Sequence, residues 1–291
     1  MLKDTKANKI FLIILVCILA LVFSFDHFWE KQGRDNRGEE SFTLQDSDSL
    51  TIKTINNNIT LEIDPAATKA SASIGGNETD NLTVVRNGNE VTIQVSPLNK
   101  RFISFIGGSS SRLVVTIPSV KLNRVEIAST NGEIDIMQDM EAKQIEIKNI
   151  SGDIDLLNLK AEDTLSLSTI SGQISGFSAA SDKKLTISTT SGGIDLNKVQ
   201  GLDIKLQSIS SNIETEVELA SKGDLKASST SGRLDLKLIK AENLNLDATT
   251  ISGSITFNDL EQEGKKASLE TGDANTDVQL SSVSGSIDIH Y

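Results

Sequence analysis

The most regular feature of the sequence is an aliphatic residue that returns about every 20 positions, two residues after a Ser-Gly or Asn-Gly dipeptide. The series runs through Ile134, Ile154, Ile174, Ile194, Ile213, Leu234 and Ile255, at intervals of 20, 20, 20, 19, 21 and 21 residues. A fixed period of this length is typical of solenoids, in which each repeat forms one coil that stacks on its neighbours. The pattern therefore predicts a stack of similar coils.

Each repeat holds two short runs in which apolar and polar residues alternate, such as Asp153 to Leu156 and Thr164 to Ser168. Alternation with period two predicts strands with one buried face and one exposed face. The second run recurs with the apolar pairs Val125/Ile127, Ile145/Ile147, Leu165/Leu167, Leu185/Ile187, Ile204/Leu206, Leu225/Ala227 and Leu244/Leu246. We therefore expect two inward aliphatic rows per coil.

Strands that are joined by turns and stacked in register predict an all-β fold. We expect a single-stranded, right-handed parallel β-helix or solenoid with about 20 residues per coil and about 4.8 Å between coils. The corner glycines are expected to supply positive φ, with Asn212 replacing glycine in one repeat. The Ser and Thr residues before each corner are interpreted as good strand and turn formers, and hydrogen bonding of stacked hydroxyls along the axis is the alternative.

The two ends of the array are less regular, as expected for repeats that must protect exposed strand edges. Residues 50–63 predict an early coil, and the strands on either side of Asn87-Gly88 predict a hairpin. Residues 99–112 are basic, aromatic and rich in Gly and Ser, which predicts a cap on the first coils or, alternatively, a loop that contacts a partner or the membrane. Near the other end, Ser284-Gly285-Ser286-Ile287 follows a shorter step.

An apolar segment near the N-terminus predicts a membrane anchor. Residues 10–29 have the length that a bilayer core requires, and Lys3, Lys6 and Lys9 before them predict a cytoplasmic N-terminus. A cleaved signal peptide is the alternative, but no small-residue cleavage site follows the segment. The predicted organisation is a cytoplasmic N-terminus (1–9), a transmembrane helix (10–29), a linker (30–49) and an extracytoplasmic β-solenoid (50–291), with an irregular part (50–118) and regular repeats (119–291).

Charge and composition exclude several function classes. The chain carries a net charge of −12, and its first 25 residues carry +2, so the remainder carries −14. Such an acidic domain repels nucleic acid and anionic membrane surfaces. The histidines are His27 and His290 and the cysteine is Cys17, so the repeats lack the residues of a His-dependent triad or a zinc site. We predict no enzyme activity, no catalytic residue, no cofactor and no metal.

One outward column of the repeats is acidic. It reads Asp135, Asp155, Ser175, Asp195, Glu214, Asp235 and Thr256. The simplest interpretation is that these residues alternate with inward neighbours. Two alternatives are a calcium-binding spacer and a glycan-cleaving β-helix enzyme that uses carboxylates such as Asp153, Asp155 and Asp195. Against the enzyme, the six aromatic residues after residue 29 are scattered, whereas a sugar cleft usually offers aromatic platforms.

Several segments resemble the bacterial putative-adhesin domain of unknown function. They are the repeat Ser151 to Leu156, the similar segments 191–196 and 231–236, and the strand Val114 to Pro118, which leads into residues 131–136. With an N-terminal anchor, the chain resembles the membrane-anchored LiaG-like proteins of Gram-positive bacteria. The resemblance covers roughly residues 45–291. It implies a β-solenoid on the outer face of the cell membrane and a link to envelope stress, and it implies no catalytic residues.

We therefore expect a non-catalytic, single-pass membrane protein of the bacterial cell envelope. Its extracytoplasmic solenoid would act as an adhesin-like interaction surface. The expected partners are cell-envelope proteins or wall polymers, together with the membrane through the N-terminal helix, and not nucleic acid.

Overall fold

A computed structural model describes residues 38–75, 80–97, 111–239, 243–262 and 264–291. These ranges contain strands and turns, and no helix in them could cross a bilayer. The predicted anchor 10–29 and the cytoplasmic N-terminus 1–9 lie outside the described residues. The strands are β1 (Glu39–Phe42), β2 (Ser49–Lys53), β3 (Asn58–Ile63), β4 (Ala70–Gly75), β5 (Asp80–Asn87), β6 (Glu90–Pro97), β7 (Arg112–Ile117), β8 (Leu122–Ser129), β9 (Ile134–Ile136), β10 (Met140–Asn149), β11 (Ile154–Thr169), β12 (Ile174–Thr189), β13 (Ile194–Ser208), β14 (Ile213–Ser229), β15 (Leu234–Ile239), β16 (Leu244–Thr250), β17 (Ile255–Phe257), β18 (Leu260–Glu261), β19 (Lys266–Glu270), β20 (Thr276–Ser282) and β21 (Ile287–His290).

Equivalent strands of successive coils pair in parallel and in register. Ile134, Ile154, Ile174 and Ile194 form one buried file, which continues through Ile213 and Leu234. The predicted second row is also a buried file, from Val125 through Leu225. The described residues therefore confirm an all-β solenoid, while the right-handed sense of the coil stays a prediction.

Each regular coil has three sides, whereas the sequence predicted two inward rows. We call the sides that carry Ile134, Met140 and Ile145 the first, second and third side. The second side adds a buried row, whose members are Met140/Ala142, Leu159/Ala161, Ala179/Ser181, Val199/Gly201 and Val217/Leu219. Its residues vary between Met, Leu, Val, Ala, Ser and Gly, so this row has no regular hydrophobic signature in the sequence.

Both ends of the solenoid depart from the order of the chain. The last coil, β20 and β21, lies between the coil of β14 and β15 and the coil of β16 and β17. At the other end, β2 and β3 lie between β6 and β7 on one side and β8 and β9 on the other. The prediction that Ile255 follows Leu234 is therefore wrong, because Ile287 lies between them. The third-side pair of that coil is Leu246/Ala248, not Leu244/Leu246, since Val278 and Leu280 pair with the former.

Antiparallel strands close both ends, as the irregular terminal sequences predicted. Strands β1, β4 and β5 lie at one end, and β18 and β19 at the other. The β5–β6 hairpin turns at Asn87-Gly88, with Gly88 at φ 61°, which confirms the hairpin prediction. Strand β1 lies within the range 30–49 that was predicted as a linker. Residues 98–110 lie outside the described residues, so the cap or loop predicted at 99–112 stays a prediction.

The corner glycines have a different role from the one predicted. Gly132, Gly152, Gly172 and Gly192 do not have positive φ. A Cβ on Gly172 would instead lie 2.0 Å from the carbonyl oxygen of Gly152 in the next coil. Glycine is favoured because the backbones of neighbouring corners nearly touch. The residue that replaces it in the β14 repeat is Ser211, two residues before Ile213, and not Asn212.

A buried hydroxyl stabilises most corners, and Asn149 takes its place before the corner at Gly152. The backbone N–H of Gly172 donates to Thr169 Oγ1 (3.1 Å), and Thr169 Oγ1 donates to the Gly152 carbonyl of the neighbouring coil (3.4 Å). Thr250 makes the same pair of bonds with Gly253 and Gly285. Thr169 and Thr250 therefore do more than favour strands and turns, because each links adjacent coils along the axis. Their acceptor is a backbone carbonyl, and not a stacked hydroxyl as the alternative interpretation proposed.

Candidate interaction surface

The outer face of the first side carries an acidic column, because residues there alternate with the buried Ile and Leu file. In spatial order the column is Asp135, Asp155, Ser175, Asp195, Glu214, Asp235, Asp288 and Thr256. Asp288 enters between Asp235 and Thr256 because the last coil is inserted there. Side chains of the same column repeat about every 4.8 Å, so neighbouring carboxylates repel each other.

The two ends of this column differ in how their charge is balanced. Arg233 forms salt bridges with Asp235 (3.1 Å) and Asp288 (2.6 Å). Among the residues that the structure describes, no salt bridge reaches Asp135, Asp155, Asp195 or Glu214. Asp155 accepts a hydrogen bond from Ser175 Oγ. Partial burial and repulsion by Asp155 raise the pKa of Asp135, although Arg112 opposes this. This stretch is therefore a surface of excess negative charge, in which no ion pair is formed within the described residues.

An apolar ridge runs beside the acidic column. It consists of the residues Met137, Leu157 and Phe177, which are 64%, 41% and 54% exposed. Each lies two residues after a member of the acidic column, in three consecutive coils. The register of the strands places Leu157 beside Phe177, and Met137 directly follows Ile136, which pairs with Leu156. In the next coil the corresponding residue is Asn197, so the ridge ends there.

A groove of about 700 Å³ adjoins the ridge on the second side. Asp139, Asn158 and Ser178, which follow the ridge along the chain, line one part of it, and residues 117–122 line another. Its apolar lining includes Ile63, Ile117, Pro118, Val120, Leu122, Met140, Leu159 and Ala180. Its volume lies in the range of about 300–1,000 Å³ that is typical of ligand sites.

The charged groups of the groove are engaged with each other. Asp139 accepts a hydrogen bond from Asn158 Nδ2 (2.6 Å), and Asp46 accepts one from the backbone N–H of Lys121 (2.8 Å). Lys160 forms a salt bridge with Glu141 (3.5 Å). A further salt bridge to Glu162 raises the pKa of Lys121. These carboxylates therefore stabilise the walls of the groove.

The third side differs from the first in chemistry. Its outward columns mix small polar residues and lysines, among them Ser166, Thr186, Lys205 and Lys226, with acids such as Glu146. Gln207 Nε2 donates to Ser228 Oγ (3.5 Å). No large apolar residue of the third side is exposed within the described part of its regular coils. This side therefore offers matched control positions for experiments on the ridge.

The carboxylates that the enzyme alternative singled out do not line the groove. Asp155 and Asp195 lie in the acidic column with Ser175 between them, and Asp153 accepts a hydrogen bond from the backbone N–H of Gln173 (2.7 Å) at the corner. In the described ranges, no group of three or more His, Cys, Asp or Glu residues is placed to hold a metal ion. The sequence interpretation missed the ridge, although the 20-residue spacing of Met137, Leu157 and Phe177 is a signal that could have found it.

Comparison with known proteins identifies the family. Residues 47–290 match the sequence profile described as Toastrack DUF4097. No curated protein matches the chain. Solved structures similar to it include a putative cell adhesion protein from Clostridium sporogenes, with 9% identity over 88% of this chain and 99% of that chain and a TM-score of 0.31. A putative adhesin from Bacteroides fragilis has 11% identity over 87% and 95% of the two chains and a TM-score of 0.43. One from Parabacteroides distasonis has 11% identity over 88% and 98% and a TM-score of 0.38.

Because these TM-scores are below 0.5, the family assignment rests on the sequence profile and not on the solved structures. The profile covers the solenoid from just before β2 to its last strand. The protein therefore belongs to the Toastrack DUF4097 family, which confirms the predicted resemblance to an adhesin-like domain of unknown function.

Proposed function

We propose that this protein is a non-catalytic interaction protein of the bacterial cell envelope and that the first side of its solenoid contacts the partner. The observation that carries the proposal is the apolar ridge of Met137, Leu157 and Phe177. Exposed apolar residues that lie side by side and are flanked by polar surface mark interaction sites more often than isolated ones do. The adjacent groove supplies a concave surface next to the ridge.

The proposal includes membrane anchoring through residues 10–29, with the solenoid outside the cell. It is supported by the length and apolar character of that segment and by the lysines that precede it. A role in envelope stress follows from the resemblance to LiaG-like proteins. Cell-envelope proteins are preferred over anionic wall polymers as partners of the first side, because the acidic column repels polyanions.

Site-specific photocrosslinking in living cells tests the proposal. A photoreactive amino acid is placed at Phe177 on the ridge, and the matched control is placed at the exposed Lys226 on the third side. We expect a discrete crosslinked envelope protein from position 177 and none of the same mass from position 226. Identical products from both positions, or none from position 177, would refute the proposal.

A glycan-cleaving enzyme is the second candidate, favoured by one observation. Asp135 and Asp155 are neighbours in the acidic column, and the raised pKa of Asp135 is a property that a general acid needs. Incubation of the full chain with peptidoglycan or teichoic acid, followed by product analysis, tests it. Turnover that disappears in Asp155→Asn would support the enzyme, and no turnover would remove it.

A further inference from the structure

The spacing of the ridge suits a helix that lies along the solenoid axis. Its three members occupy consecutive coils, about 4.8 Å apart. An α-helix advances 5.4 Å per turn, so such a helix presents one side chain per turn to each coil. Helical positions i, i+3 or i+4, and i+7 would then lie over Met137, Leu157 and Phe177, which is the anchor pattern of amphipathic helices in protein recognition.

The charge beside the ridge indicates which residues such a helix carries. The acidic column runs parallel to the ridge at a distance of two residues along each strand, or about 7 Å. Asp135, Asp155, Asp195 and Glu214 have no salt bridge within the described part of the chain. Lys or Arg residues on one flank of the apolar stripe would pair with them. The same charge disfavours polyanions and anionic lipid surfaces.

We propose that the apolar ridge and the acidic column together bind a basic amphipathic helix of a partner protein. The helix lies along the solenoid axis, with its apolar stripe on Met137, Leu157 and Phe177 and its basic flank over Asp135, Asp155 and Asp195. This inference rests on the proposed interaction function and adds the chemistry of the partner. The exposed charge pairs make the association sensitive to salt, since the Debye length falls from about 30 Å at 0.01 M ionic strength to about 8 Å at physiological ionic strength.

Peptide binding to the full chain tests the inference. The protein is placed in phosphatidylcholine nanodiscs, with empty discs as the blank. The probe is a fluorescently labelled synthetic helix with Leu at i, i+3, i+4 and i+7 and Lys on one flank. A peptide of the same composition in scrambled order and a peptide with Glu in place of Lys are the matched controls. Binding is measured by fluorescence anisotropy at low and at high salt.

We expect the basic helix to bind and both control peptides to bind at least tenfold more weakly. The double variant Leu157→Ser/Phe177→Ser should weaken binding by at least tenfold, and Asp155→Asn/Asp195→Asn should weaken it severalfold and reduce its dependence on salt. Lys226→Ser on the third side should leave binding unchanged. Circular dichroism melts that match the parent protein show that each variant folds.

Three outcomes would overturn the inference. The first is equal binding of the ordered and scrambled peptides, and the second is unchanged binding in the ridge variant. The third is capture of the protein by phosphatidylcholine vesicles that is lost in the ridge variant, which would assign the ridge to lipid. If crosslinking from Phe177 captures an envelope protein while the basic helix does not bind, the interaction function stands and only the chemistry of the partner is wrong.

Discussion

At the scale of single residues, the neighbouring coil decides which residue is tolerated at a corner. The sequence correctly located the corners from their Ser-Gly and Asn-Gly dipeptides, but it assigned the glycines to positive φ. The dihedral angles at these positions are not ones that favour glycine. Glycine is favoured because a side chain would have no space beside the backbone of the neighbouring coil. That close contact between coils is not visible in a linear sequence, because both partners look like ordinary turn residues.

Two adjacent glycines separate this effect from the general effect of adding a methyl group. A Cβ on Gly192 would lie 1.6 Å from the Gly172 carbonyl oxygen, whereas the nearest such atom to a Cβ on Gly193 is 3.6 Å away. We expect Gly192→Ala to lower the free energy of unfolding by about 2 kcal/mol or more, and Gly193→Ala to change it by less than about 1 kcal/mol. Urea denaturation measures both. Equal losses in the two variants would contradict a role for close packing at the corner.

The buried hydroxyl of Thr169 offers a second matched pair. Thr169→Val keeps the shape of the side chain but leaves the Gly172 N–H and the Gly152 carbonyl without their partner. We expect a loss of about 1–3 kcal/mol in the free energy of unfolding, which is the usual cost of unsatisfied buried groups. Ser168→Ala, one residue earlier and on the outer face, should cost less than about 0.5 kcal/mol. A Thr169→Val protein as stable as the parent would refute the role of this hydroxyl.

Two carboxylates should give opposite pH dependence of stability. Partial burial and Asp155 raise the pKa of Asp135 above its ordinary 3.8, so its contribution to stability is full below that value and is lost as the pH rises through the folded-state pKa. Asp135→Asn should therefore melt at a higher temperature than the parent at pH 7, with the difference shrinking below pH 4.

Glu146 provides the contrasting case. Burial alone would raise its pKa, but hydrogen bonds and ion pairs with Lys148 and Arg124 lower it below the ordinary 4.5. Its stabilisation is present above that value and is lost as the pH falls through the folded-state pKa. Glu146→Gln should therefore melt at a lower temperature than the parent at pH 7 and at a similar temperature at low pH. Thermal melts at several pH values measure both variants, and shifts of the same sign at pH 7 would contradict the assignment.

At the scale of elements, a strand could be predicted from the sequence where the buried apolar residues at equivalent positions have a similar size in every repeat. The Ile134 file and the Val125 file meet this condition, and they were predicted correctly as far as Leu234 and Leu225. The second-side row fails it, because Leu159, Ala179 and Val199 occupy the same position. The pairing order of the strands at the ends could not be predicted from the sequence either, because Ile255 and Ile287 fit the first-side file equally well.

The inserted last coil makes a specific prediction about truncation. Because β20 and β21 lie between two other coils, deletion of residues 276–291 removes pairing partners from β14, β15, β16 and β17. We expect residues 244–270 to become sensitive to limited proteolysis followed by mass spectrometry, whereas deletion of Tyr291 alone should leave them protected. If the coils followed the order of the chain, the larger deletion would also leave residues 244–270 protected.

At the scale of the whole molecule, the residues that stabilise the solenoid are different from the residues on its outer faces. Its stability comes from files of buried aliphatic residues and from corner hydrogen bonds, and its three outer faces are free to differ in chemistry. The acidic column could be predicted from the sequence because acids alternate with buried residues there. The groove could not, because residues 117–122 and Asn158 come together only when coils stack beside the irregular N-terminal part.

This separation can be tested with one pair of neighbouring residues on β11. Leu157 is 41% exposed on the ridge, whereas Leu156 is 3% exposed in the core. Leu156→Ser should cost about 2–5 kcal/mol of unfolding free energy, because it creates a cavity and buries a hydroxyl. Leu157→Ser should cost less than about 0.5 kcal/mol and still weaken partner capture from the ridge. Urea denaturation and crosslinking yield measure the two effects. A Leu157→Ser protein that loses as much stability as Leu156→Ser would place the ridge in the core of the fold, and full partner capture by that variant would remove the ridge from the interface.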